Sequence, residues 1–325
     1  MIISQTPLRM SFVGGGTDFE DFYKQSPCQV LSTTIDKYFY IGLNYRFEGS
    51  IKISYSRTEL VHNVRQIKHT LVKAALEETG IKKGVDIVSL SDLPAYKTGL
   101  GMGASSAFTV GLLNALYAFL GQNKSPSFLA EKACKVEIER AGSPIGKQDQ
   151  YAAAFGGLNL TTFHSDGKVS VDPIHLTHKI KQDFQSHLIL FFTNKERLAN
   201  TILTRQKRNI NKKFDVLKKM SNMASIFKNY LEKGEFKKIG KLLHQAWLMK
   251  KSLAQGITNP EIDKMYHLAL MSGAWGGKIL GAGGGGFFLV MAPLEKQASI
   301  KRALNNYQLI PFCFSDTGSK IVLKT

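Results

Sequence analysis

The stretch of sequence that decides the fold is a glycine loop, Gly99-Leu100-Gly101-Met102-Gly103-Ala104-Ser105-Ser106-Ala107. It follows a predicted strand, Val85–Leu90, and it opens a predicted apolar helix, Ser106–Leu120. Glycine lets backbone N–H groups approach a ligand closely, and the N–H groups at a helix N-terminus form a binding site for anions. The hydroxyl groups of Ser105 and Ser106 can reach a phosphate oxygen or Mg²⁺. We therefore predict that this turn is a phosphate-binding loop.

This loop differs from two common nucleotide-binding motifs. It lacks the lysine of the G-x-x-x-x-G-K-[ST] P-loop. It also lacks the third glycine of the G-x-G-x-x-G dinucleotide fingerprint at the required place. A loop of this kind is also compatible with a simple turn before a core helix, so the other motifs have to decide.

Two further glycine runs and one aspartate motif accompany the loop. The first run is Phe12-Val13-Gly14-Gly15-Gly16-Thr17-Asp18, and the second is Gly281–Gly286. The aspartate motif is Pro144–Gln150, which contains Asp149. Phosphoryl transfer needs a carboxylate close to the attacking hydroxyl, but an aspartate here could equally cap the helix that follows. Both roles stay open for Asp149 on its own.

The chain divides into two parts. Residues 1–182 alternate strands and helices, whereas residues 183–325 place long helices over a few strands, which is typical of an α+β fold. We place the boundary in the polar stretch His178–Ser186. The predicted elements include the strands Ile2–Ser4 and Leu8–Val13 and the helices Val64–Glu78 and Ala199–Tyr230.

Composition bounds the class of protein. The 325 residues are 43% apolar, no apolar run is long enough to cross a membrane, and no secretion signal is recognisable. We therefore expect a cytoplasmic protein without a membrane partner. The three cysteines, Cys28, Cys134 and Cys313, form no paired motif, and the histidines form no transition-metal motif. We expect free thiols and no zinc site.

The formal net charge is +18, and much of the excess falls within residues 195–251. A positive field attracts anions, whether nucleic acid, anionic lipid or phosphorylated metabolites. This stretch lacks the interleaved aromatic residues of a nucleic-acid groove, so we expect a solvated helix face and no nucleic-acid partner. Electrostatic attraction of phosphorylated small molecules is a third interpretation.

Taken in this order, the segments resemble those of the GHMP kinases, the superfamily of galactokinase, homoserine kinase, mevalonate kinase and phosphomevalonate kinase. The similarity covers nearly the whole chain, and it is strongest to the branch that acts on D-glycero-D-manno-heptose 7-phosphate. The matching stretches are TPLRMSFVGGGTDF, SSAFTVGLLNALYAF, GKQDQYAAAFGGLN and GGKILGAGGGGF. The resemblance implies a two-domain GHMP kinase fold, with an N-terminal domain (1–182) like ribosomal S5 domain 2 and a ferredoxin-like C-terminal domain (183–325).

The resemblance also implies an ATP-dependent sugar kinase that phosphorylates the anomeric hydroxyl of this heptose phosphate, with Mg²⁺ as cofactor. Asp149 resembles the catalytic aspartate, and Arg9 stands where related sugar kinases place a basic residue that pairs with it. Residues expected along the triphosphate are Gly99, Gly101, Gly103, Ala104, Ser105 and Ser106. Residues expected around the sugar are Gly16, Thr17, Asp18, Gly283, Gly284 and Gly285. Residues expected to bind Mg²⁺ are Ser105 or Ser106 and Glu139, with Glu137 as the second choice.

Two features depart from the family pattern. The loop reads GLGMGASSAF where GLGSSSAF is more usual, and the spacing from Glu139 to Asp149 differs from that of mevalonate kinase. The alternatives are a kinase for fucose or a hexose, and a non-catalytic anion-binding or nucleic-acid-binding protein on the same scaffold. A basic pocket for the phosphate of the sugar would separate the kinases, and its candidates are Lys37, Lys147, Arg197 and Arg205. Both a monomer and a homodimer stay open.

Overall fold

The computed structural model describes residues 1–93, 101–194 and 199–325. These residues form two sheets with helices packed against them. The larger sheet consists of β1 (Ile2–Val13), β2 (Cys28–Tyr45), β3 (Ile51–Ser54), β4 (Thr58–Val61), β5 (Val85–Ser91), β6 (Asn159–Phe163), β7 (Val169–Pro173), β12 (Phe314–Ser315) and β13 (Lys320–Lys324). The smaller sheet consists of β8 (Leu188–Phe192), β9 (Gly276–Ile279), β10 (Phe287–Met291) and β11 (Gln308–Leu309).

The helices lie between and over these sheets. In chain order they are α1 (Glu20–Tyr23), α2 (Thr70–Thr79), α3 (Ala104–Phe119), α4 (Pro126–Cys134), α5 (Gln148–Phe155), α6 (His178–Ser186), α7 (Ala199–Arg208), α8 (Phe214–Glu232), α9 (Phe236–Lys251), α10 (Pro260–Met271) and α11 (Leu294–Ala303). Short 3₁₀ turns occur at Val64–Gln66 and Asn211–Lys213, and a π-helical turn occurs at Lys135–Arg140. Among the described helices, none combines the length and the apolar character needed to cross a bilayer.

The first strand, β1, is continuous where the sequence predicted two short strands, Ile2–Ser4 and Leu8–Val13. Pro7 interrupts the apolar pattern between them and has no N–H group to donate. It lies at a register shift in the pairing with β2 and beyond the last residue paired with β13, so the strand tolerates it. Arg9 follows two residues later, and its backbone N–H donates to the oxygen of Met102 over 3.1 Å. The strand therefore reaches the glycine loop directly.

The smaller sheet has the topology predicted for the C-terminal part. Its spatial order is β11-β8-β10-β9, and all of its pairings are antiparallel. Helices connect β8 to β9 and β10 to β11, which makes a split β-α-β-β-α-β arrangement. The prediction of an α+β chain with a ferredoxin-like second sheet is confirmed.

The predicted boundary stretch is itself a helix, α6, which Thr177 caps by accepting a hydrogen bond from the N–H of Ile180. Phe184 of this helix is buried, and its ring centre lies 5.3 Å from that of Phe12 in β1. The last two strands also return to the larger sheet, because β12 pairs with β2 and β13 pairs with β1. The described apolar core residues form two clusters, each with residues from both predicted ranges, and the end of the second range completes the sheet of the first.

Two helices predicted as single elements are interrupted. The predicted helix Val64–Glu78 begins as a 3₁₀ turn and resumes as α2 after His69, whose ring nitrogen accepts a hydrogen bond from the N–H of Val72. The predicted helix Ala199–Tyr230 is split into α7 and α8. Ile210 is buried at that break, so the chain turns inward there. The pattern of apolar residues continues across both breaks, which is why the sequence did not reveal them.

Candidate active site

A cleft of about 960 Å³ opens where the larger sheet meets α3, α5 and α7. The predicted site residues that line it are Arg9, Gly16, Asp18, Gly101, Gly103, Ala104, Ser105 and Asp149. Gly99 lies outside the described residues. The three glycine runs and the aspartate motif, which are far apart in sequence, therefore meet in one cleft.

An ion pair occupies the centre of the cleft. Nε and Nη2 of Arg9 donate to the two carboxylate oxygens of Asp149 over 2.6 and 2.7 Å, and Nη1 donates to the backbone oxygen of Gly101 over 2.8 Å. A bidentate guanidinium–carboxylate pair fixes both side chains in one orientation. The Arg9 side chain is 4% exposed and that of Asp149 is 23% exposed, so the carboxylate is the partner within reach of a ligand.

Asp149 does not cap the helix that follows. Helix α5 begins at Gln148, so Asp149 already lies inside its first turn. The residue before the helix, Lys147, makes no side-chain cap. The carboxylate is instead turned toward Arg9 of β1. Of the two roles that the sequence left open, the geometry favours the one in the cleft.

The glycine loop lies against this ion pair. Gly103 precedes α3 and has a φ of 67°, a conformation that favours glycine. A Cβ at this position would lie 3.1 Å from Cγ of Arg9 and 3.4 Å from Cβ of Asp149. No described side chain caps the N-terminus of α3, which leaves its first N–H groups available to an anion. The loop can therefore bring phosphate groups close to Asp149.

Of the two carboxylates considered for Mg²⁺, the one beside the two serines is Glu137, the second choice. Glu137 is 1% exposed and accepts a hydrogen bond from the side-chain amide of Gln150 over 2.6 Å. Burial raises the pKa of Glu137 to about 7, although the nearby hydroxyls of Ser106 and Ser105 oppose this shift. Glu139 is exposed, because residues two apart on a helix point to nearly opposite faces.

Asp18 is a buried carboxylate that lines the cleft, and it is 2% exposed. Its oxygens accept hydrogen bonds from the N–H of Gly16 over 3.0 Å, from the side-chain amide of Gln148 over 2.9 Å and from the N–H of Gln148 over 3.1 Å. Burial and the negative charge of Asp149 raise the pKa of Asp18. A Cβ at Gly146 would collide with this carboxylate. The aspartate motif is thus folded closely around the end of the first glycine run.

Four residues expected around the sugar, Thr17 and Gly283–Gly285, are not among the residues that line the cleft. In the run Gly283–Gly285, the N–H of the middle glycine donates to the oxygen of Ile257 over 2.8 Å, and a Cβ on the first would lie 2.6 Å from that oxygen. Of the third glycine run, Gly281 and the residue after it line the cleft. Thr17 is fully buried, and its hydroxyl donates to the oxygen of Gly14 over 2.9 Å.

Two buried lysines in the cleft were missed by the sequence analysis. Lys278 of β9 is 4% exposed, and its ammonium donates to the backbone oxygens of Ser11 and Phe12 over 2.8 and 2.7 Å. Lys250 of α9 is also buried and donates to a backbone oxygen of the third glycine run. Burial, together with the charges of Lys250 and Arg9, lowers the pKa of Lys278 well below its usual value. An anionic ligand bound in the cleft would oppose this shift and favour the charged form of Lys278.

Three of the four cations predicted to hold the phosphate of the sugar are described, and they lie outside the lining of the cleft. The described candidates are Lys37, Lys147 and Arg205, and none of these three lines the cleft. Lys37 pairs with Asp36 over 3.1 Å, and the ammonium of Lys147 stands 4.9 Å from the ring centre of Tyr23. Arg197 lies outside the described residues.

One end of the cleft is aromatic. The rings that line it are those of Phe39, Tyr55, His69 and Phe108. The ring centres of Tyr55 and His69 are 4.7 Å apart in an edge-on arrangement, and those of His69 and Phe108 are 5.1 Å apart in a stacked one. Burial lowers the pKa of His69, which keeps its ring neutral at neutral pH. A surface of this kind suits a flat ring with little charge, such as a nucleobase.

Comparison with known proteins gives the class of enzyme. The family of GHMP kinases N terminal domains matches residues 63–157, and the family of GHMP kinases C terminal domains matches residues 227–308. The chain belongs to the GHMP kinases. It is therefore an ATP-dependent sugar kinase, a phosphotransferase.

The chain is also similar to individual kinases along most or all of its length. The D-glycero-alpha-D-manno-heptose 7-phosphate kinase of Campylobacter jejuni is 30% identical, and the alignment covers 98% of each chain. The crystal structure of a D-glycero-D-manno-heptose 1-phosphate kinase from Bacteroides thetaiotaomicron matches with a TM-score of 0.81 and 25% identity over 100% of both chains. The bifunctional fucokinase/GDP-fucose pyrophosphorylase of Arabidopsis thaliana is 24% identical over 93% of this chain and 31% of its own length.

Proposed function

We propose that this enzyme transfers the γ-phosphoryl group of ATP to the anomeric hydroxyl of D-glycero-D-manno-heptose 7-phosphate and so makes the 1,7-bisphosphate. The observation that carries the proposal is the bidentate pair of Arg9 and Asp149, which lies in the cleft against the glycine loop. The full-length similarity to the Campylobacter jejuni enzyme favours this acceptor.

The residues of the cleft have distinct proposed roles. Asp149 positions the anomeric hydroxyl and accepts its proton as the oxygen attacks the γ-phosphorus. Arg9 holds Asp149 in place and offsets negative charge on the phosphoryl group in transit. The N–H groups of the loop Gly101–Ser106 hold the phosphates of ATP. Positioning and electrostatic stabilisation supply most of the catalysis in phosphoryl transfer, and these residues supply both.

The chain contains residues that fit Mg²⁺. The hydroxyl of Ser106 is buried without a hydrogen bond of normal geometry to any described residue, and it lies beside the buried carboxylate of Glu137. Magnesium in kinases is commonly held by one or two such oxygens together with the phosphates of the substrate. Ser105, Ser106 and Glu137 would therefore hold the ion with ATP. When bound, Mg²⁺ neutralises charge on the phosphates.

The two reactants are assigned to opposite ends of the cleft. The aromatic end, with Tyr55 and Phe108, receives the base of ATP, because ring surfaces stack well against a purine. Asp18 and Asp149 mark the acceptor end, because carboxylates accept hydrogen bonds from sugar hydroxyls. The basic side chains of Lys250 and Lys278 also line the cleft, and a phosphate group bound beside them would favour their charged form.

A coupled ADP-release assay tests the proposal. Mg-ATP is supplied with D-glycero-D-manno-heptose 7-phosphate, its altro isomer, mannose, fucose or galactose. We expect strong turnover only with a heptose 7-phosphate. The same panel with the Asp149→Asn variant controls for contaminating kinases, because this variant should release no ADP above the background.

The other outcomes are also informative. Turnover with a free sugar would support a sugar kinase and exclude heptose 7-phosphate as its acceptor. The similarity to a plant fucokinase makes fucose the second candidate. Silence across the whole panel, with ATP still bound, would contradict the proposed acceptor class.

A further inference from the structure

Three polar side-chain atoms around the first glycine run are buried without partners. They are Oγ of Ser11, Oε1 of Gln148 and Nε2 of Gln206, and none of them has a hydrogen-bond partner among the described residues. Ser11 is 4% exposed and Gln206 is 3% exposed. All three residues line the cleft. None of the roles proposed above makes use of these atoms.

These three atoms converge on two neighbouring glycines. A Cβ at Gly15 would lie 3.4 Å from Oγ of Ser11 and 3.7 Å from Oε1 of Gln148. A Cβ at Gly16 would collide with the amide nitrogen of Gln206. The absence of side chains at both positions therefore leaves the three polar atoms around one small part of the cleft.

Buried polar groups in folded proteins almost always find hydrogen-bond partners, because an unpaired one is costly. One such atom could be incidental, but three in one part of a cleft indicate a ligand that supplies the missing partners. The set includes one donor, the amide nitrogen of Gln206, one acceptor, Oε1 of Gln148, and one hydroxyl, that of Ser11, which can act as either. A molecule with several hydroxyl groups matches this set.

We infer that Gln206, Gln148 and Ser11 form a subsite that recognises the hydroxyl group next to the reacting hydroxyl of the acceptor. This inference rests on the proposed function and adds the residues that select the acceptor. Gln148 precedes Asp149 in the chain and is hydrogen-bonded to Asp18 over 2.9 Å, so its free oxygen lies on the acceptor side of the cleft.

The subsite is completed from the second half of the chain. Gln206 lies on α7, whereas Ser11 lies on β1 and Gln148 begins α5. The glycine loop, in contrast, approaches Arg9 and Asp149 through Gly103. Recognition by Gln206 should thus act on the sugar and leave the binding of ATP unchanged.

The test compares the Gln206→Met variant with wild type on whichever acceptor of the panel turns over best. Methionine keeps the length of the side chain and removes the amide. We expect kcat/KM for the acceptor to fall about tenfold to a hundredfold, because a site built to hydrogen-bond a hydroxyl loses its partner. The KM for ATP should stay within about twofold. The exposed neighbour variant Lys207→Gln is the matched control and should behave as wild type.

A deoxy acceptor separates recognition from a structural role. With an analogue that lacks the hydroxyl next to the anomeric carbon, the wild-type enzyme should already be impaired, and Gln206→Met should cost nothing more. An equal loss on both acceptors would overturn the inference, as would an unchanged kcat/KM. If Gln206→Met does not fold, Ser11→Ala takes its place, with an expected loss of about fivefold under the same criterion.

The outcomes also separate this inference from the proposed function. If fucose or another free sugar is the acceptor, the proposed heptose phosphate is wrong, and the same deoxy comparison on that sugar still decides the role of Gln206. If no acceptor turns over and isothermal titration shows no binding of the heptose 7-phosphate, both are overturned.

Discussion

The two ends of the cleft differ in the physics by which they can act on a substrate. At the aromatic end, Tyr55, His69 and Phe108 offer ring surface without charge. At the polar end, Arg9 and Asp149 are fixed by two hydrogen bonds to each other, with Arg9 buried and the carboxylate of Asp149 partly exposed to the cleft. Ring contacts stabilise the bound ground state and the transition state alike, whereas fixed charges act where charge develops. Changes at the first end should therefore affect the KM for ATP, and changes at the second should affect kcat.

The largest effect is expected at the polar end. Asp149→Asn should lower kcat by about a thousandfold, because the amide can neither accept the proton nor pair with Arg9 as a carboxylate does. The affinity for ATP, measured by isothermal titration, should change by less than about twofold. Asp172→Asn, at an exposed position, is the matched control. A variant that keeps the wild-type kcat would remove Asp149 from its proposed role.

The next effect concerns stability in the absence of metal. The pKa of Glu137 is raised from 4.5 to about 7 in the folded protein, so the folded state favours the protonated acid. That stabilisation is present in full below pH 4.5 and is lost as the pH rises through about 7. Its size is roughly 3 kcal/mol, and Glu137→Gln should remove this part of the pH dependence.

Denaturant unfolding in EDTA at a series of pH values measures this effect. The exposed neighbour Glu139 supplies the control, since Glu139→Gln should keep the wild-type pH dependence. Identical curves for both variants and the wild type would mean that Glu137 is not held as a buried acid.

A smaller effect is expected at the aromatic end. Tyr55→Ala should raise the KM for ATP about tenfold and leave kcat within about twofold, because it removes ring surface and no charge. Tyr55→Phe is the control, since it keeps the ring and loses only the hydrogen bond from the hydroxyl to Glu59, which is 2.8 Å long. Steady-state kinetics with ATP as the varied substrate decides the matter. A fall in kcat as large as the rise in KM would contradict the expectation that the aromatic end acts on ATP binding alone.

The smallest effect is expected outside the cleft. Lys24 and Glu20 form an ion pair of 2.7 Å, but their side chains are 60% and 57% exposed. Water and salt screen such a pair, so Lys24→Gln should leave both the midpoint of thermal unfolding and kcat unchanged within the error of measurement. A clear fall in the unfolding midpoint or in kcat would show that this exposed ion pair contributes to stability or activity, contrary to our expectation.

The sequence predicted those parts of the site whose chemistry demands particular residue types. Gly103 is needed where the backbone has a positive φ and approaches Arg9, and Asp149 lies in the cleft, where the proposed reaction requires a carboxylate. The sequence pattern could not predict whether Glu137 or Glu139 lies beside the serines, because both carry a carboxylate. It depends on which face of the π-helical turn packs inward, and packing is a property of the fold.

Other parts of the site carried no signal in the sequence. Lys250 and Gln206 belong to long helices in which lysine and glutamine are ordinary surface residues, and only the packing of α9 and α7 buries them. The same holds for the fold itself. The segment Gly276–Ile279 contains a single typical strand former, Ile279, and becomes β9 through its pairing with β10. The pairing of β13 with β1 joins the two ends of the chain, which no local pattern can indicate.

The enzyme is proposed to transfer a phosphoryl group to the anomeric hydroxyl of a heptose phosphate. The most direct test is ³¹P and ¹H NMR of the product formed from Mg-ATP and D-glycero-D-manno-heptose 7-phosphate. We expect a new phosphorus signal coupled to the anomeric proton, which grows in step with ADP and is absent with Asp149→Asn. A phosphate on any other hydroxyl, or ADP formed without a phosphorylated sugar, would contradict the proposal.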